Sequence, residues 1–166
     1  IPISLLLIGC ISNNQFVFAE NRNTSSYKVM ANENDKLSIK NVQKLLIEGD
    51  RFIKLGKFDK AKESYDNGRN LAKQLSGFYR DLNGAFRGLD ARIPREMDDK
   101  GRKSLSAWAD ANARLAALYK RKNQPEVAVP LLVEIIKLMS PSSTQGKAAF
   151  GDLRELGFVE TSYQGI

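Results

Sequence analysis

Residues 45–71 read LLIEGDRFIKLGKFDKAKESYDNGRNL, and the fold turns on this stretch. Working outward from it to Ser38, apolar residues fall at Ile39, Val42, Leu45, Leu46, Phe52 and Ile53, the spacing of one helix face. Asp35 or Ser38 offers that helix an N-cap. Gly56 predicts its end, because a residue without a Cβ takes the left-handed conformation of a C-terminus at no steric cost. Phe58 stands at the elbow, and Asp59 lies in the first turn of the next helix, where a negative charge suits the macrodipole. Ala61, Tyr65 and Gly68 then recur at helical spacing. A small, a large and an absent side chain in line allow a neighbouring helix to approach closely. The stretch is a helical hairpin bent at Gly56.

These residues resemble the tetratricopeptide repeat, a helix–turn–helix family with a period of about 34 residues. The family favours small side chains at three fixed places and aromatic ones at three others. Gly49, Ala61 and Gly68 fall on the small places, Phe52, Phe58 and Tyr65 on the aromatic ones, and Leu45 and Gly56 also match. Glu48, where leucine is usual, and Lys73, where proline often closes the repeat, depart from it.

Downstream the pattern does not restart at once. Leu71, Leu75, Phe78, Leu82, Phe86 and Leu89 continue one stripe, so the second helix is expected to run to about Leu89 or to break near Ser76-Gly77. Gly77, Gly84 and Gly88 each weaken it by roughly 1 kcal/mol. Pro94 is expected to end it by pushing Ile93 out of the helical region, with Asp98 and Asp99 capping a third helix. That helix carries Leu105, Trp108, Ala111, Leu115, Leu118 and Tyr119 on one face. A turn at Lys122–Pro125 leads to a fourth helix over 126–139, which Pro130 is expected to kink or delay. Leu115, Ala116, Tyr119 and Ala128 again sit at repeat places, with Asn123 in place of glycine and Leu132 and Ile135 in place of the aromatic and small residues. Phe52 and its equivalent Tyr119 stand 67 residues apart, about two periods, so the array is irregular. Ser142 or Ser143 caps a last helix through Leu156, with Gly157-Phe158 as a Schellman-type stop. The expected fold is all-α: tetratricopeptide-like antiparallel hairpins of about five helices, an irregular middle and a C-terminal capping helix. It spans 38–158, with 159–166 as a tail.

Ile1–Ile11 is an uncharged apolar run, shorter than the roughly 20 residues a membrane-spanning helix needs. It has the length of a signal-peptide core, and Val17-Phe18-Ala19 suits cleavage before Glu20. Residues 1–19 are therefore expected to be a signal peptide, with a charged segment preceding Ile1, and the polar, Asn-rich 20–37 a flexible tether. Leu7-Ile8-Gly9-Cys10 resembles a bacterial lipobox, which makes lipidation at Cys10 the rival processing, and an uncleaved anchor is the third outcome; the last two tether the chain to a membrane through its N-terminus. Each implies an exported protein of the periplasm or, in a photosynthetic cell, the thylakoid lumen.

The 166 residues fit one domain, and a net charge of +7 favours anionic partners. The absence of histidine excludes Ser/His/Asp triads, Cys/His dyads and His-containing metal sites. A single cysteine excludes an intramolecular disulfide and a thiolate zinc site. No catalytic residue, metal or cofactor is expected, and the function implied is that of an interaction adaptor or assembly scaffold with an unidentified protein partner.

In the family, the partner groove is lined by fixed places on the first helix of each pair. The resemblance puts Gln43, Leu46, Asp50, Ile53 and Lys54 there, followed by Asp110, Ala113, Ala117, Lys120 and Arg121. Members that grip a C-terminal carboxylate use lysine and asparagine where this chain has Leu46 and Asp50, then Ala113 and Ala117. That clamp is absent, and the groove suits an amphipathic helix or an apolar peptide; Leu46 and Ile53 are equally readable as core. A second reading is an anionic membrane surface met by Arg87, Arg92, Arg95, Lys100, Arg102 and Lys103, interleaved with Asp90, Glu96, Asp98 and Asp99. Export weighs against nucleic acid, and homo-oligomerisation stays open because two hairpins leave a helix face exposed. Trp108, Phe78 and Tyr79 read as core.

Overall fold

The computed structural model describes residues 36–163, so the expected signal peptide with Cys10, nearly all of the tether and the end of the tail lie outside the described residues. The described residues form five helices: α1 (Ile39–Lys54), α2 (Phe58–Phe86), α3 (Arg92–Arg121), α4 (Pro125–Met139) and α5 (Thr144–Glu155). Each packs on the next, and α1 and α5 both also touch α3. The described residues are all-α.

The helix ends follow from local chemistry. Ser38 caps α1, its Oγ accepting the Asn41 N–H at 3.2 Å. Gly56, at φ 69°, closes α1 in a Schellman motif: the Lys57 N–H donates to Phe52 C=O at 2.9 Å and the Gly56 N–H to Ile53 C=O at 3.0 Å. Asn123, at φ 55°, closes α3 the same way, with Gln124 N–H on Tyr119 C=O at 2.9 Å and Asn123 N–H on Lys120 C=O at 3.0 Å. Asparagine serves there because its short polar side chain tolerates the left-handed region. Ser143 caps α5 through Gly146 N–H, and Phe158 N–H on Leu153 C=O ends it after Gly157.

The two hairpins bury equivalent places. In the first, Ala61 and Tyr65 are at most 2% exposed, the Tyr65 ring lies over Gly49, and Gly68 receives Leu46. In the second, Ala116, Ala128, Leu132 and Ile135 are likewise at most 2% exposed. The hydrophobic cores of the two hairpins meet at Tyr119 and Leu131.

Three expectations about the middle are corrected. The second helix is unbroken and stops at Phe86, short of Leu89, with Gly88 at φ 86° in the turn. The third begins at Arg92 and not near Asp98. Pro94 falls in its first turn, where a backbone N–H has no intrahelical acceptor to lose, and the Asp90 carboxylate accepts the Arg92 N–H at 2.9 Å. Phe78 is 43% exposed and is no part of the core, whereas Tyr79 and Trp108 pack against it half-buried. The distal halves of α2 and α3 pair as one long hairpin, pinned where Asn83 Nδ2 donates to Pro94 C=O at 3.0 Å and to Asp98 at 2.6 Å. That extension occupies the residues an intervening repeat would have used. Helix α4 continues through Pro130; Pro130 and Glu126 are both exposed, so the carbonyl left without a donor opens to water.

Candidate functional site

The expected groove maps onto the face where α1, α3 and α5 adjoin. Leu46 does not line it: at 4% exposure it is packed into the core, because Gly68 opposite lets α1 sit close to α2. Ile53 is half-buried against the same core.

Three of the expected groove groups tie the helices together. Asp50 accepts the Tyr65 hydroxyl at 2.7 Å and Arg114 Nε at 3.0 Å, joining α1 to α3. Burial works to raise the Asp50 carboxyl, but the Arg114 and Tyr65 hydrogen bonds outweigh it and hold its pKa below the usual 3.8. Burial and the bond to Asp50 push the Tyr65 hydroxyl well above its ordinary value. Asp110 accepts Gln145 Nε2 at 2.6 Å, and Lys120 Nζ donates to Asp152 at 2.8 Å and Glu155 at 2.6 Å, joining α3 to α5. Against the burial that would lower it, those carboxylates raise the Lys120 pKa.

Gln43, Lys54, Ala113, Ala117 and Arg121 remain exposed. Beside Ala113 a notch of about 90 Å3 opens between α3 and α5, lined by Ala109, Leu132, Ile135 and Ala148, with Gln145 and Asp152 at its lip. Arg114, Gln145 and Asp152 escaped sequence reasoning because their partners lie 64, 35 and 32 residues away.

The basic group is largely neutralised where it stands. Arg92 pairs with Asp90 at 2.7 Å, Lys100 with Glu96 at 2.5 Å, and Arg102 and Lys103 share Asp99 at 3.0 and 3.4 Å. Arg87 bonds only Asn83, at 3.5 Å, and neither it nor Arg95 meets a carboxylate among the described residues. The structure gathers these six into no uniform patch.

A polar cluster that the sequence had hidden joins α2, α3 and α4. Asn112, fully buried, accepts Arg69 Nε at 2.6 Å and donates to Glu134 at 2.7 Å, while Arg69 Nη2 reaches Glu134 at 2.6 Å. Burial raises the Glu134 carboxyl, but Arg69 and Asn112 bring it below the usual 4.5. Trp108 Nε1 is buried and makes no hydrogen bond, although it lies close enough to Glu134 to favour the ionised form. The one sequence signal was an asparagine set within the apolar stripe from Trp108 to Leu115.

Among the described residues no group of His, Cys, Asp and Glu is arranged to hold a metal ion, and no helix is long and apolar enough to cross a membrane. Five helices packed in sequence, two pairs of them closed by the same turn, are compatible with a helical-repeat fold. Compared with known proteins, the chain matches no family model, no curated protein and no solved structure.

Proposed function

We propose that this chain is an exported helical-repeat adaptor of tetratricopeptide type, binding a segment of a partner protein on the face shared by α1, α3 and α5. The observation that carries the reading is the notch beside Ala113. It is shallow, because Ala109, Leu132 and Ile135 beneath it are at most 2% exposed, and exposed Ala113 and Ala117, one turn apart, let a partner helix or strand come close over it. The Asp50–Arg114 and Lys120–Asp152 pairs flank it as a preordered polar rim. With Leu46 and Asp50 in the family's clamp places, the partner engages through an internal segment and not through its terminal carboxylate. Binding without catalysis is the role this arrangement suits. The reading of residues 1–19 as a signal peptide supports a role in the periplasm or thylakoid lumen, in envelope or membrane-complex assembly.

Two experiments test this. Affinity capture on the full chain should enrich one defined protein, and Ala113→Glu with Ala117→Glu, both on exposed positions, should abolish that capture with circular dichroism unchanged. Capture that survives both substitutions overturns the binding face. Intact-mass measurement of the mature protein should show a start at Glu20; retention of residues 1–19 contradicts export by cleavage.

A further inference from the structure

Beyond α1, where the distal halves of α2 and α3 run on together, a cleft of about 460 Å3 opens between them beside the end of α4. Its floor is Tyr79, Met97, Leu105, Trp108 and Leu138. Gly101, on the α3 wall, contributes no side chain to fill it. The rim carries Arg80 on α2, Arg87 just past the end of α2 and Arg102 on α3, against one carboxylate, Asp98, which already accepts Asn83 Nδ2 at 2.6 Å. Arg80 and Arg102 pair with Asp81 and Asp99 only in exposed contacts, with every side chain 59% or more accessible. Such pairs contribute little and exchange readily for another carboxylate. Arg87 meets no carboxylate among the described residues.

The size is that of a specific ligand site, and an apolar floor under guanidinium groups selects an apolar body with anionic flanks. The cations stand on both walls. A lipid carries its charge at one end of its tail, whereas a peptide carries it on both sides of a side chain. We propose that this cleft binds an acidic segment of a partner protein, seating one leucine- or phenylalanine-sized side chain on the Tyr79–Trp108 floor. Flanking carboxylates then take Arg80 and Arg87 on one wall and Arg102 on the other. The site lies apart from Ala113 and Ala117, so it stands or falls independently of the α1–α3–α5 face.

Trp108 is the only tryptophan of the chain, which makes its emission a direct reporter. The full chain is titrated with the blocked hexapeptide EELFEE, with KKLFKK and EEGGEE as controls, and separately with phosphatidylglycerol vesicles. EELFEE should give a saturable change that weakens at high salt, and Arg87→Gln or Arg102→Gln should weaken it by about tenfold, the loss of one charge-assisted hydrogen bond. The controls should be silent. No response to EELFEE, an equal response to either control, or binding indifferent to both arginine substitutions overturns the proposal. So does a vesicle response that depends on the same arginines while the peptide is silent, which assigns the cleft to a membrane surface.

Discussion

Replacing Gly49 with alanine should destabilise the protein although it improves the helix. Alanine is favoured over glycine in a helix interior by about 1 kcal/mol. At Gly49, however, a Cβ would stand 2.3 Å from Tyr65 Cε1 and 2.5 Å from Cδ1. The ring has little freedom to retreat: Tyr65 is 2% exposed, its hydroxyl is held on Asp50 at 2.7 Å, and Asp50 is held in turn by Arg114. Forcing an extra methyl into such packing costs about 1–3 kcal/mol. Displacing the hydroxyl from a charged acceptor adds about 1.5–3 kcal/mol. Set against the propensity gain, the net loss is about 1.5–5 kcal/mol. Gly84 supplies the contrast, lying inside α2 with nothing within 4 Å of an added Cβ. Gly84→Ala should stabilise by about 0.5–1 kcal/mol. Urea unfolding followed by circular dichroism and Trp108 emission should move the midpoint down for Gly49→Ala and up for Gly84→Ala at constant slope. Shifts of the same sign for both would refute the packing of α1 on Tyr65.

Asn112→Ala leaves Arg69 and Glu134 without their shared buried partner and should cost about 2 kcal/mol in the same assay; a change within experimental error contradicts the α2–α3–α4 cluster. Stability should be bounded on both sides by pH. Asp50 and Glu134 have folded pKa values below 3.8 and 4.5, so their contribution is complete above those values and is lost as pH falls through the lower folded ones. Tyr65 and Lys120 have folded values above 10.0 and 10.5, so theirs is complete below those values and is lost as pH rises through the higher folded ones. Asp50→Asn together with Glu134→Gln should flatten the acid limb of the unfolding profile, and an unchanged limb contradicts the assignment.

What could be read in advance was what local chemistry decides. Gly56 and Gly157 announced helix ends because a left-handed C′ residue satisfies the last carbonyls wherever the helix lies. Asn123 looked like a departure from the repeat, yet its turn is closed by the same pair of backbone hydrogen bonds as the turn at Gly56. Pro94 misled because proline stops a helix from inside and opens one from its first turn. Which applies depended on Asp90 reaching the Arg92 N–H. The apolar stripe from Leu71 to Leu89 is the same whether α2 pairs with a new repeat or with an elongated α3, so periodicity could not separate the two. The groove suffered most. Leu46 was drawn inward by a glycine 22 residues away in sequence, and Asp50, Asp110 and Lys120 found partners on other helices. Residue type and spacing along one helix carry no record of such contacts.

Site-specific photo-crosslinking in the native cell tests most directly whether the α1–α3–α5 face binds a protein. A photoreactive residue replaces Ala117 in one variant and Val127, 36% exposed on α4, in another. One defined adduct is expected from position 117, lost when Ala113→Glu is added, and none from position 127. No adduct at 117, or the same adduct from both positions, would show that this face is not the binding surface.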